Sequence, residues 1–189
     1  MFETSDYIIC IIGKSGSGKS AIADYYRKKG FNVIDSYTDR PARYEGEGGH
    51  IFIRPEEVEQ YKKDMIAYTY FDNHHYFATK SQYKNKGITF YVIDPVGVEE
   101  LEKQIQDAKL LFIYINTDCE VRRQRMIKRK MRSKNNSEDQ YTAAKAEAEN
   151  RMLFDEKAFE LVKCNYVIDN NGQLQQTIEL LNGILNEII

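Results

Sequence analysis

Cysteine is scarce: the 189 residues hold three, Cys10, Cys119 and Cys164. An odd number so widely spaced excludes a disulfide framework. No pair has the spacing of a zinc knuckle or a redox Cys-x-x-Cys. Thiols of this kind suit a reducing compartment, and the cytoplasm is the expected location. A charge excess of one sign is missing too. Twenty-seven Lys and Arg against 29 Asp and Glu leave a net charge of −2. Nothing global therefore points to nucleic acid, and any basic patch has to be found locally. Long apolar runs are absent as well. The run Tyr7–Ile12 is six residues, far short of the ~20 that span a bilayer, so no membrane partner is expected. The opening stretch Met1–Asp6 is acidic where a signal peptide needs a basic flank. What remains is 42% hydrophobic and 30% charged. That excludes collagen-like, mucin-like and disordered chains and leaves room for one domain with one full core.

The order of elements gives the fold class. Tyr7–Ile12 reads as a short buried strand that ends in a glycine-rich turn, and a helix follows to Lys29 with Gly30 as its stop. Phe31–Asp35, Ile88–Asp94, Leu110–Asn116 and Tyr166–Asp169 are further strand candidates. Helical spacing separates the later ones. Val98, Leu101 and Ile105 share one face, Thr117 or Asp118 can cap a helix to about Arg132, and another helix fits Glu138–Val162. A last helix carries Leu174, Ile178, Leu181 and Leu185. Apolar strands alternating with amphipathic helices predict a three-layer α/β fold, with a five-stranded, mainly parallel sheet covered by helices on both faces. Two stretches depart from this rhythm. Residues 36–86 are polar and rich in Tyr, Gly and His, with a short helix from Pro55 and no long apolar strand. They read as a small insertion, with His74 and His75 as polar loop residues. Arg122–Lys134 holds eight basic residues in thirteen and reads as a mobile arm, a lid over about 122–140. The chain is thus expected to be a single domain, with core segments 1–35, 87–121 and 141–189.

Residues Gly13-Lys14-Ser15-Gly16-Ser17-Gly18-Lys19-Ser20 fit Gly-x4-Gly-Lys-Ser/Thr in full. Small residues let successive backbone N–H groups turn inward around a β-phosphate, and the following helix presents its positive end. Lys19 can reach β- and γ-oxygens, and the Ser20 hydroxyl can take one Mg²⁺ position. The motif sits after a strand and before a helix, as the chemistry requires. It predicts a nucleoside triphosphate site, with ATP and Mg²⁺ as the expected cofactors and Gly13, Ser15, Gly16, Ser17, Gly18, Lys19 and Ser20 as its cradle.

The Asn-Lys-x-Asp signature of guanine-specific GTPases is absent, and a large motor ATPase needs more chain than this. A kinase for a small phosphorylated acceptor needs a second anion site and a cationic lid. The insertion and the basic arm supply these in order.

The segment Ser36-Tyr37-Thr38-Asp39-Arg40-Pro41-Ala42-Arg43, with Gly46-Glu47 and His50-Ile51-Phe52, resembles the acceptor-binding segment of guanylate kinases. Tyr68–Phe71 leading to Tyr76, the turn Ile93-Asp94-Pro95-Val96-Gly97, Arg125, Arg129 and Arg151, and Val167-Ile168-Asp169-Asn170 also resemble that family in order. The resemblance implies that Arg40, Arg43 and Tyr76 hold an acceptor phosphate. Ser36, His50 and Asp94 would line the acceptor site, and Asp94 could hold a Mg²⁺-bound water. Lys19, Arg125, Arg129 and Arg151 would surround the transferring group, and Asn170 would lie against adenine. It implies a nucleoside monophosphate kinase, a monomer or homodimer with a small-molecule acceptor as its partner. The departures concern the base. A carboxylate and a hydroxyl residue that read guanine in the family align with Ala67 and Ala78, Phe77 stands where glycine is usual, and His50 replaces a tyrosine in a loop two residues short. Loss of a carboxylate that pairs with two base N–H groups weakens guanine selection by a few kcal/mol. Ribose 1,5-bisphosphate phosphokinases resemble the same family and share a shortened Arg-Pro…His loop. A non-catalytic interaction module and a nucleic-acid-dependent ATPase are further readings, the first opposed by an intact P-loop.

Overall fold

The structure, a computed structural model, describes residues 6–42, 45–131 and 137–188. The elements in chain order are β1 (Asp6–Ile12), α1 (Lys19–Lys28), β2 (Asn32–Ile34), β3 (Ser36–Thr38), β4 (His50–Phe52), a 3₁₀ helix (Pro55–Tyr61), β5 (Met65–Phe71), β6 (His74–Thr79), a short 3₁₀ turn (Lys80–Gln82), β7 (Ile88–Val92), α2 (Pro95–Gln104), β8 (Ala108–Asn116), α3 (Cys119–Lys130), α4 (Glu138–Ala158), β9 (Tyr166–Asp169) and α5 (Leu174–Ile188). One sheet has five strands in the order β2-β7-β1-β8-β9, and a second has four in the order β4-β3-β6-β5. In the larger sheet β1–β7, β2–β7 and β8–β9 pair in parallel. The expected α/β architecture with a mainly parallel five-stranded sheet is the one observed. Ile8–Ile12 are wholly buried, as befits a strand with no polar face. No helix among the described residues is long and apolar enough to cross a membrane. All three cysteines are free, with Cys10 buried.

The chain divides into two compact units, Met1–Ile11 with Ala23–Phe112 and Ile12–Ile22 with Ile113–Ile189. In the first, Tyr26 stacks on Phe90 at 3.9 Å between centroids, and Phe31 meets both rings edge-on at 5.6 Å. The four-stranded sheet also lies here. It was expected as a polar insertion with no long strand, yet β5 has seven residues and β6 six. Its strands escape a search for apolar runs because the apolar residues are interleaved with Tyr, Thr and His. A bulge between Ile66 and Thr69, with Ala67 at φ +51°, also breaks their alternation. The hairpin itself has a sequence signal: Asp72 and Asn73 both take positive φ, as a two-residue primed turn requires. His74 and His75 therefore sit in β6, not in a loop. The His75 amide donates to Asp39 Oδ1 at 2.8 Å, and Tyr68 Oη and His75 Nδ1 are hydrogen-bonded at 2.9 Å.

In the second unit α4 starts from a reciprocal cap. The Gln140 amide donates to Ser137 Oγ, and the Ser137 amide donates to Gln140 Oε1. The helix ends at Ala158, one turn short of the expected Val162. Its buried stripe is Ala144, Ala148, Met152 and Asp155, and Met126 of α3 packs into it beside Ala148 and Met152. Residues 122–131, expected as a mobile arm, belong to α3 and its C-cap, with Arg122 only 5% exposed. Residues 132–136 of the expected lid lie outside the described residues.

The stacked Tyr26–Phe90 pair anchors the first unit. Phe90→Ala is expected to lower unfolding stability by ~3 kcal/mol or more, since it deletes a fully buried ring. Equilibrium urea unfolding checks this, and a loss under ~1 kcal/mol would place the core elsewhere.

Candidate active site

The second unit contains the whole Gly13–Ser20 loop, and its shape follows from how two carbonyls are held. Ser17 O accepts from Asn170 Nδ2 at 2.7 Å and from Thr117 Oγ1 at 3.2 Å. Ser15 O accepts from Arg122 Nη1 at 3.3 Å. A trans peptide points its N–H opposite to its C=O. Pulling these carbonyls toward the surrounding side chains therefore aims the Gly16 and Gly18 amides the other way, toward the inside of the loop. Gly16 and Gly18 take φ +77° and +99°, which a side chain tolerates poorly. A Cβ on Gly16 would come within 2.7 Å of Arg122 O, and one on Gly18 would collide with Asn170 Nδ2. Glycine is required at both positions by backbone conformation and by space.

Lys19 opens α1 and its amine turns back onto Gly13 O and Lys14 O. Desolvation lowers its pKa to about 8. Asp155 opposes that shift, whereas Arg151, Arg122 and Arg129 add to it. Lys19 thus sits among three arginines and one carboxylate. That carboxylate is 4% exposed. It accepts from the Ser15 amide at 2.6 Å, from Ser15 Oγ at 3.1 Å and from Arg122 Nη1 at 3.2 Å. Ser20 follows in the first turn of α1, exposed.

Of the residues singled out from sequence, Gly13, Ser15, Gly16, Ser17, Gly18, Lys19, Ser20, Arg125, Arg129, Arg151 and Asn170 all belong to this unit. Arg125 donates to Asn170 O at 2.8 Å. Asn170, expected against adenine, is 3% exposed. Its amide group is engaged on both sides, donating to Ser17 O and accepting from Thr177 Oγ1 at 2.7 Å. Its side chain braces the loop from outside. Asp155, Arg122 and Thr117 were not singled out from sequence. Asp155 did leave a signal, an acidic residue within the otherwise apolar stripe of α4.

The first unit holds the other group. Ser36 faces His50 across β3–β4, and Thr38 faces Tyr76 across β3–β6. The His50 and Tyr76 rings are 6.0 Å apart. Ser36 Oγ is 3.2 Å from Tyr91 Oη. Arg40 follows β3, lies 5.2 Å over Phe52 and adjoins the Tyr76 hydroxyl. Its guanidinium is gripped by Glu47 through bonds of 2.6 and 3.0 Å, both side chains under 10% exposed. Asp94 caps α2, accepting from the Gly97 amide at 2.8 Å. Arg43 lies outside the described residues. Phe77, which stands where the family has glycine, stacks on Tyr37 at 5.3 Å and is wholly buried. Adjacent strand residues point to opposite faces, so Phe77 cannot share the face of Tyr76. Ala67 and Ala78 are both buried. The Ala67 amide donates to Gln104 Oε1 at 2.9 Å.

Comparison with known proteins follows the cradle. A family model described as an AAA domain matches residues 9–143. A search of curated protein sequences finds no match. Among solved structures, guanylate kinase from Anaplasma phagocytophilum superposes with a TM-score of 0.58 at 17% identity, covering 98% of this chain and 87% of that one. The protein TT1252 from Thermus thermophilus gives 0.50 at 17% identity, covering 98% and 99%. At these identities the likeness is one of fold.

The charge on Lys19 is held against a cost. A lysine whose pKa falls on folding is a burden below the folded value, and the burden fades as pH rises toward the unfolded one. Lys19→Met is therefore expected to raise the melting temperature of the nucleotide-free protein by ~2 °C or more at pH 7. The gain should shrink between pH 8 and about 10.5. Thermal unfolding across that range checks it, and a gain that grows with pH would reverse the sign of the argument.

Proposed function

The chain belongs to the AAA domain family, and we propose that it is a P-loop phosphotransferase that moves the γ-phosphoryl group of ATP to a small phosphorylated acceptor, most simply a nucleoside monophosphate. The observation that carries this reading is the Gly13–Ser20 loop, with its Gly16 and Gly18 amides turned away from the side chains that hold Ser15 O and Ser17 O, and Lys19 facing Arg122, Arg129 and Arg151. A site built to hold one carbonyl or one carboxylate has no need of so many cations. A polyphosphate with a migrating phosphoryl group does.

The residues fit MgATP. The Gly16 and Gly18 amides, turned away from the side chains that hold Ser15 O and Ser17 O, suit a phosphate against the backbone, and the exposed Ser20 hydroxyl suits one Mg²⁺ position. Bound MgATP would supply the activated phosphoryl group. Lys19 would hold its β- and γ-oxygens, and Arg125, Arg129 and Arg151 would neutralise charge on the transferring group. The acceptor phosphate is already an anion, so no side chain has to remove a proton from it. Catalysis is then positioning and charge stabilisation. Asp94, a candidate for a Mg²⁺-bound water, is oriented by its cap on α2.

Acceptor recognition falls to Ser36, Arg40, Arg43, His50 and Tyr76. Arg40 offers a two-pronged donor face, and the Glu47 carboxylate now holding it is the kind of planar anion that such a face selects. An acceptor phosphate would take over from Glu47. Buried Ala67 and Ala78 offer a base no hydrogen-bonding side chain, which favours a modestly selective site. A shortened Arg-Pro…His loop keeps ribose 1,5-bisphosphate among the acceptors to be tried. The insertion at 36–86, the lid at 122–140 and a cytoplasmic location belong to the same proposal.

A coupled ADP-release screen over GMP, dGMP, AMP, CMP, UMP, dTMP and ribose 1,5-bisphosphate tests it. Turnover with at least one acceptor is expected, and GMP should lead any other by less than ~100-fold in kcat/KM. Lys19→Met should lose at least ~100-fold in kcat, and Arg40→Ala should raise the acceptor KM far more than the ATP KM. No ADP release with any acceptor, or an Arg40→Ala effect confined to ATP, would contradict the assignment.

A further inference from the structure

Asp155 is a buried carboxylate that the phosphoryl-transfer scheme does not use. It closes a ring of hydrogen bonds with two partners. The Ser15 amide and Oγ donate to its oxygens, Arg122 Nη1 donates to the same carboxylate, and Arg122 Nη1 also donates to Ser15 O. Both peptide groups of Ser15 are thereby fixed, the preceding one through its N–H and the following one through its C=O. The second of these carries the Gly16 amide, so the ring sets the direction of a donor inside the loop. The side chains of Asp155 and Arg122 are 5% and 6% exposed, which leaves little room for either to swing away. A carboxylate buried this deeply is costly unless fully partnered, and a leucine or alanine would suit the stripe Ala144, Ala148, Met152 better.

We propose that Asp155 is a positioning residue of the phosphate cradle: it locks the Ser15 turn, directly and through Arg122, and so fixes the direction of the Gly16 amide before a phosphate arrives. Removing its carboxylate charge loosens that donor and weakens the hold on ATP.

The inference rests on ATP binding at this loop, so the experiment measures that first. Isothermal titration of the full chain with ATP at one fixed pH is compared with Asp155→Asn, with Asp155→Glu, which keeps the carboxylate, and with the double variant Asp155→Asn/Arg122→Gln, which removes both buried charges together. Folding is followed by circular dichroism. Asp155→Asn is expected to weaken ATP at least ~10-fold, and Asp155→Glu is expected to recover part of that loss. The double variant is expected to fold and to remain weak. Wild-type protein that fails to bind ATP would overturn the cradle itself. Wild-type binding with unchanged affinity in Asp155→Asn, or no recovery in Asp155→Glu, would overturn the role of Asp155 alone. So would tighter binding, which would make Asp155 a competitor for the site. A double variant restored to wild-type affinity, or loss of folding in both variants that lack the carboxylate, would also overturn it, since the pair would then serve the fold rather than the cradle.

Discussion

A phosphate cradle works only if donor amides are aimed before any phosphate arrives, and here the Gly16 and Gly18 amides are aimed by hydrogen bonds to the carbonyls behind them. Asn170 and Thr117 take Ser17 O, and Arg122 takes Ser15 O. Each of these side chains comes from a different element: β9 leads into Asn170, β8 ends beside Thr117, and α3 carries Arg122. The loop is thus preorganised by the sheet ends and the helix that follows them. A preorganised array of dipoles stabilises developing charge without having to reorient during the reaction.

The same economy recurs where cations are buried. Arg122 is paired with Asp155 and Arg40 with Glu47, all four side chains under 10% exposed. A guanidinium taken out of water needs an anion, and a site built for a phosphate must satisfy its arginines when the phosphate is away. In the two pairs the chain uses its own carboxylates differently. Asp155 also binds the loop backbone, so it is tied to the cradle itself, whereas Glu47 follows the positive-φ Gly46 in the segment after β3. Lys19 has no such private partner, only a share in Asp155 among three arginines. Desolvation lowers its pKa, and the three arginines add to that shift where one shared carboxylate opposes it.

The sheet was readable because its strands are buried on both faces. A run such as Ile8–Ile12 has no polar alternate to confuse it, and the glycine spacing after it reflects mechanical needs that leave few substitutes. The four-stranded sheet was not readable by the same rule, since its strands are short, alternating and interrupted by the bulge at Ala67. Side-chain roles were legible only where a motif fixes them. Asn170 was found from a resemblance but its work is to brace Ser17 O. Arg40 was found as a cation but not its pairing with Glu47, because the two stand seven positions apart with no motif linking them. That Phe77 packs on Tyr37, on the face opposite Tyr76, was not legible, because alignment conveys position along a strand and strand parity decides the side. Asp155 stood in plain view as a charge in an apolar stripe, a pattern whose meaning depends on what the stripe packs against.

The central claim is that the Gly13–Ser20 loop recognises the phosphates beyond the first. Competition of ATP, ADP and AMP against a fluorescent ATP analogue bound to the full chain measures this directly. If the Gly16 and Gly18 amides and Lys19 hold β- and γ-oxygens as proposed, ADP displaces the analogue within ~10-fold of ATP, and AMP at least ~100-fold more weakly. Displacement by AMP as readily as by ADP would contradict the account.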